Sequence, residues 1–158
     1  MEEIRKMENK TENEIKKTAE EFFEQMGFEI ESSVNYEGEN SFSLNLKTEE
    51  PQILIGSGGK TLSEIQKVLG RILRKQLGEE LFIDLDINQY KKNKKDYLRD
   101  LAQSTADEVS LQKEEKALPP MTSYERRIVH LALVEREDVK TESQGEDPDR
   151  RIVIKPSG

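Results

Sequence analysis

The chain has 158 residues, 33% hydrophobic and 37% charged, with a formal net charge of −8; that length and so lean an apolar share suit two small, highly charged domains with modest cores. With no cysteine and one histidine, disulfides, thiolate metal sites and His-rich metal centres are excluded. No apolar run approaches the ~20 residues of a membrane span, and the start Met1-Glu2-Glu3 lacks the basic and apolar regions of a signal peptide, so a cytoplasmic location is expected.

Residues 1–11 carry many charges without apolar periodicity and predict a disordered lead-in. A helix follows, with Ile15, Ala19, Phe22, Phe23 and Met26 at helical spacing and Gly27 placed to end it. Residues 28–36 and 41–47 read as strands around the turn Glu37-Gly38-Glu39-Asn40, with Phe42, Leu44 and Leu46 on one face. After Pro51, the short apolar stretch Ile53-Leu54-Ile55 leads into Gly56-Ser57-Gly58-Gly59-Lys60. A long helix then covers about 61–77, with Leu62, Ile65, Leu69, Ile72 and Leu73 inward and Lys60, Lys67, Arg71 and Arg74 on the other side. Residues 81–87 alternate as a strand able to join the hairpin in a three-stranded sheet.

The basic run Lys91-Lys92-Asn93-Lys94-Lys95 opens a second long helix reaching about Lys116, with Tyr97, Leu98, Leu101, Thr105 and Val109 inward. Pro119-Pro120 punctuates the chain, and Thr122 with Glu125 forms a capping box for the next helix, which carries Arg126 and His130. Residues 139–144 and 150–155 form a closing hairpin around Gly145-Glu146-Asp147-Pro148-Asp149. The whole pattern predicts an α+β chain of two halves, each a three-stranded sheet with helices.

Two sites stand out. A loop that opens a helix with glycines at both ends lets a phosphate-sugar backbone approach closely, because no Cβ intrudes and the helix's free amide donors face the anion. The plainer reading of the same residues is a turn joining two packed elements. Arg126 and His130 lie about 40° apart on their helix, so they project together and can both bond phosphate. Spacing equally allows His130 to tie the helix to the hairpin and Arg126 to pair with a local carboxylate. The Lys67, Arg71 and Arg74 stripe reads as a solvated helix face. Charge adds a constraint: residues 1–50 hold 6 basic and 14 acidic side chains, residues 60–95 hold 9 and 5, and residues 96–158 hold 10 and 14. Phosphate affinity rests on Lys and Arg displacing counterions, so any nucleic-acid contact must come from focused clusters.

The glycine loop, with the apolar residue before it, the amphipathic helix after it and the order helix, two strands, loop, helix, strand, resembles a type II KH domain at about 12–90. The segment Glu125 to Leu133 (ERRIVHLAL), Val139, Thr141-Glu142-Ser143-Gln144-Gly145 and Arg150-Arg151-Ile152-Val153-Ile154 resemble the Arg-xxx-His domain, at about 91–156. A KH domain followed directly by an Arg-xxx-His domain resembles the Jag/KhpB (SpoIIIJ-associated) family of RNA-binding proteins. That resemblance implies a type II KH-like domain and a small Arg-xxx-His α/β domain with a three-stranded antiparallel sheet and two helices.

It also implies that Gly56, Ser57, Gly58, Gly59 and Lys60 clamp about four single-stranded nucleotides. Arg126 and His130 would be the surface pair of the second domain, with Thr141, Ser143, Arg150 and Arg151 nearby. Strand alternation separates the two arginines and leaves open which one faces ligand. KH loops of this kind usually carry a basic residue between the outer glycines; here those positions are Ser57 and Gly58, and Lys60 supplies the charge from the next position. The family typically has an additional N-terminal domain and linker, which the acidic lead-in is too short to be. The implied function is non-enzymatic binding of single-stranded RNA, or DNA, in post-transcriptional regulation linked to cell elongation or division. A second small KH-domain protein is the implied partner, with no cofactor, metal, membrane or small-molecule substrate. A protein-interaction adaptor with vestigial nucleic-acid surfaces is the competing reading, favoured by the net charge. No metal-carboxylate cluster or P-loop in the sequence supports an enzyme.

Overall fold

The computed structural model describes residues 1–78 and 80–158. The chain divides into two units, Met1–Lys91 and Lys92–Gly158, and each closes its own core.

The first unit runs α1 (Glu2–Gln25), β1 (Glu31–Gly38), β2 (Ser41–Lys47), α2 (Pro51–Ile55), a single 3-10 turn (Ser57–Gly59), α3 (Lys60–Leu77) and β3 (Phe82–Ile87). The disordered lead-in expected over 1–11 is corrected: α1 is continuous from Glu2. Its first turns are exposed, so packing does not hold them. Glu, Lys, Arg and Met are strong helix formers, and Glu2/Lys6 and Lys10/Glu14 stand four apart with opposite charges. The inward residues are Ile15, Ala19 and Phe23; Met26 falls past the helix end and is 45% exposed. Gly27 is left-handed, at φ 86°, as its place after the helix predicts.

β1 and β2 form an antiparallel hairpin whose turn residues Glu39 and Asn40 both have positive φ, the mirror-turn backbone that matches strand twist. β1 starts three residues later than the pattern suggests, at Glu31. β3 adds to β2 in parallel, aligning Phe42 with Ile83, Leu44 with Leu85 and Leu46 with Ile87. Parallel neighbours need a crossover, and α2, the glycine turn and α3 supply it. Those three pairs, all buried, form the sheet's inner face, and Leu62, Ile65, Leu69 and Leu73 of α3 close the core with α1.

The second unit is built from α4 (Tyr90–Gln112, its first two residues preceding the division), β4 (Lys116–Ala117), α5 (Ser123–Leu133), β5 (Val139–Gln144) and β6 (Arg151–Pro156). The sheet order is β4-β6-β5, antiparallel throughout. The helix expected to reach Lys116 ends four residues early. Lys113 turns left-handed at φ 59°, and Lys116 and Ala117 pair with Ile154 and Val153 of β6, where their backbone groups find partners unavailable in an exposed last turn. The inward face of α4 is Leu98, Ala102, Ala106 and Val109. Tyr97, expected inside, is 59% exposed, because two alanines, which apolar patterning undervalues, take the contact face instead.

Behind α5, Arg136 fastens helix to strand: it donates to Asp138 at 2.9 and 2.6 Å, to Asp107 of α4 at 2.7 Å and to Gln103 at 3.2 Å. The hydrogen-bonded guanidinium holds the Asp138 carboxyl well below the usual carboxylate range.

Candidate nucleic-acid interface

In the first unit, α2 ends where Gly56 swings to φ 71° while its N–H still donates to the Gln52 carbonyl at 3.0 Å. Gly58 and Gly59 are both left-handed, at φ 60° and 78°. Space constrains the loop further: a Cβ on Gly56 would lie 2.1 Å from Thr61 Oγ1, and one on Gly59 would lie 2.9 Å from Tyr90 Cε1. Gly58 has open space and is fixed by conformation alone. Ser57 and Gly58 are exposed, and exposed Lys60 is the first residue of α3. No side chain caps that N-terminus; the Gly59 and Lys60 N–H groups donate to the Gly56 and Ser57 carbonyls within the 3-10 turn, so any anion there would meet the amides that follow in the first turn.

Tyr90, half-buried beside Gly59, is a neighbour the sequence reading did not single out; the aromatic directly ahead of the lysine run was the available signal. The Lys67, Arg71 and Arg74 stripe is exposed. Lys67 lies 3.6 Å from Glu64, and Arg74 donates to the Leu81 carbonyl at 3.3 Å.

In the second unit, α5 opens with the expected capping box: Thr122 Oγ1 accepts from the Glu125 N–H at 3.2 Å, and Glu125 accepts from the Thr122 N–H at 2.9 Å. This fixes where the helix starts and hence where Arg126 and His130 point. Arg126 donates through Nη1 to the Met121 carbonyl at 2.7 Å and to Asp147 at 3.3 Å, leaving its side chain only 11% exposed. His130 is exposed and places Nδ1 2.6 Å from Thr141 Oγ1 of β5. Both contacts named as the plainer alternatives in the sequence are therefore made. They also orient the pair, since a ring held at Nδ1 presents its other nitrogen in a fixed direction.

Strand register separates the two hairpin arginines. Thr141 faces Ile154 and Ser143 faces Ile152 across the β5–β6 ladder, and directly opposed residues share a face. Arg150 falls on that face by alternation and donates from Nε to Ser143 Oγ at 2.7 Å. Arg126, His130, Thr141, Ser143 and Arg150 thus gather on the side of the sheet that α5 covers. Arg151 goes to the other face with Val153 and Lys155, donating to the Asp149 carbonyl at 3.2 Å. There Lys155 is engaged by Glu142 at 2.7 Å and Glu115 at 3.8 Å, and the Lys155 ammonium bonded to Glu142 lowers that carboxyl below its usual range. Lys155 is thus already matched to carboxylates, and Arg151 is set apart from the cluster by the face of the sheet it takes. Asp147, beside Arg126, is the one residue of this cluster that sequence reasoning missed; it lay unremarked in the turn Gly145 to Asp149.

A glycine-pinched helix entry in one unit and an oriented Arg/His pair beside a strand face in the other define the class: a protein built of two small α+β modules, each with its own candidate site. Comparison with known proteins agrees, and the chain belongs to the KH domain family, whose profile matches residues 14–95, while the profile of the Arg-xxx-His domain matches residues 96–156. It is 36% identical over 85% of its length to the RNA-binding protein KhpB of Clostridium symbiosum, covering 61% of that protein. It is 30% identical over 82% of its length to the RNA-binding protein KhpB of Lactiplantibacillus plantarum, covering 40% of it, and 31% identical over 75% to that of Bacillus subtilis, covering 58%. The chain therefore spans less than two thirds of these relatives, and the resemblance to the Jag/KhpB family rests on the shared KH and Arg-xxx-His portions. No helix among the described residues is long and apolar enough to cross a membrane.

Proposed function

We propose that this protein binds single-stranded nucleic acid, RNA in particular, with a KH module at about 12–90 and an Arg-xxx-His module at about 91–156. The observation that carries the reading is the exposed His130 ring held by Thr141, beside Arg126 and the Ser143-anchored Arg150: two guanidinium forks and an imidazole converge on one polar strand edge. Such groups suit phosphate and the faces of bases. The glycine entry of α3, with Gly56, Ser57, Gly58, Gly59 and Lys60, supplies a second phosphate contact through backbone donors and one cation. The relatives' name, RNA-binding protein, supports the same ligand. Few aromatics stand near either site, so affinity comes mainly from the backbone of the ligand and base preference is slight. By analogy with the family, the role is post-transcriptional regulation in the cytoplasm linked to cell elongation or division, together with a second small KH-domain protein.

The test is fluorescence-anisotropy titration of a 12-nucleotide single-stranded RNA at two salt concentrations. Affinity is expected to fall steeply with salt, and to drop roughly ten-fold in His130→Ala with Arg150→Ala if two contacts of about 0.7 kcal/mol each are lost. The net charge of −8 and the carboxylate of Asp147 on Arg126 favour an adaptor that docks proteins instead; absence of any salt-dependent RNA binding would overturn the nucleic-acid reading and favour that alternative.

A further inference from the structure

Helix α5 presents cationic and apolar groups on a second side. Arg127 and Leu131 lie about 100° round the helix from Arg126 and His130, and they face α4 rather than the hairpin. With Tyr124 and Ile128 of α5, and Lys95 and Arg99 of α4, they line a recess of about 280 Å³. Its floor is apolar, with Ile128 buried, while Tyr124 and Leu131 stand 61% and 56% exposed at its rim. Lys95 and Arg99 are four apart, so both project from one side of α4.

Of the ten other cations in this unit, five lie at carboxylates, Arg150 and Arg151 donate hydrogen bonds, and Lys92, Lys113 and Lys140 have no such contact among the described residues. Arg126, Arg136, Lys94, Lys116 and Lys155 each lie within 4 Å of a carboxylate. Lys95, Arg99 and Arg127 make neither an ion pair nor a side-chain hydrogen bond among the described residues. Residues 92–158 hold 13 basic against 14 acidic side chains, so an unneutralised trio around one recess is a local positive focus on a nearly neutral unit.

We propose that this recess is a second single-stranded nucleic-acid contact, in which one unpaired base enters against the Tyr124 ring and the flanking phosphates are taken by Lys95, Arg99 and Arg127. An exposed aromatic ringed by unpaired cations is the arrangement that stacks a base and neutralises its backbone. Size favours a base over a peptide helix: a helix docks through anchors spread over two turns in an elongated groove, whereas this recess is confined to about 280 Å³. The inference rests on the nucleic-acid reading above and adds a site about 100° round α5 from the first, so that one strand could pass from the His130 side to the Tyr124 side of the helix.

The deciding experiment titrates the same 12-nucleotide RNA against wild type, Tyr124→Ala, Tyr124→Phe, and Arg99→Ala with Arg127→Ala, over a range of salt. Tyr124→Ala is expected to weaken binding roughly 5- to 100-fold while Tyr124→Phe binds as wild type, which separates stacking from damage to the fold. Loss of Arg99 and Arg127 should flatten the slope of log affinity against log salt by about 1.4, two phosphate contacts' worth. Wild-type affinity and slope in these variants, with His130→Ala still weakened, would overturn the second site and leave the first standing. A parallel titration with a labelled Glu- and Leu-rich helical peptide covers the other ligand class: if peptide affinity, and not RNA affinity, falls in the variants, the recess docks protein and the inference is overturned. Failure of wild type to bind RNA would remove both readings together.

Discussion

Arg126 and Asp147 set the chemistry at the residue scale. A guanidinium that already donates to the Met121 carbonyl and to Asp147 can meet a phosphate only by exchanging or sharing the carboxylate, which stands 74% exposed. On the proposed reading Asp147 competes with the ligand, and the backbone carbonyl keeps Arg126 in place without it. Asp147→Asn is expected to tighten RNA binding about two- to five-fold, the size of an exposed ion pair, with little change in melting temperature. An anisotropy titration that showed weaker binding would mean that Asp147 positions Arg126 instead of screening it. His130 was legible as a candidate from its spacing to Arg126 alone. That its partner is Thr141 was not, because helix-to-strand contacts depend on register, and only the alignment of Thr141 with Ile154 puts that hydroxyl under the ring. The same register resolves Arg150 from Arg151.

Helix ends were readable at the element scale wherever a local signal fixed them. The capping box of α5 and Gly27 behind α1 are such signals, each satisfied by residues within a few positions of one another. Pattern reading failed where tertiary partners intervened or where no burial was involved. β4 captured Lys116 and Ala117 from the expected end of α4, and α1 extends through an exposed stretch that periodicity cannot see. Arg136, absent from any motif, holds α4, α5 and β5 together through Asp107, Gln103 and Asp138.

This clamp has a pH signature. The folded state holds the Asp138 carboxyl below its ordinary value of 3.8, so the unfolded chain takes up this proton first as pH falls. The stabilisation is therefore complete above about pH 5 and is lost progressively below pH 4. In thermal melts, Arg136→Met should melt below wild type at pH 6, and the gap should narrow as pH approaches 2. A gap independent of pH would assign the loss to packing of the arginine stem rather than to its ion pairs.

The whole molecule consists of two units whose buried clusters share no residue: one gathers around Phe23, Leu44, Leu69 and Ile87, the other around Leu98, Val129, Val139 and Ile154. Leu69→Ala removes a fully buried side chain and is expected to cost about 2–5 kcal/mol. Amide hydrogen exchange should show that cost in β2, β3 and α3 while β5 and β6 keep their protection; equal loss in both sheets would mean the units unfold as one. The sequence by itself determined the two α+β units, the glycine entry to α3, the capped helix bearing Arg126 and His130, and the polar hairpin beside them, because periodicity, capping and turn chemistry act between residues close in the chain. Tertiary structure alone decided the parallel β2–β3 pairing, the capture of β4, the hold of Asp147 on Arg126 and the side of the sheet each arginine takes. Those depend on which distant segments meet and in what register, which is settled by burying both apolar faces at once and is not written into any single segment.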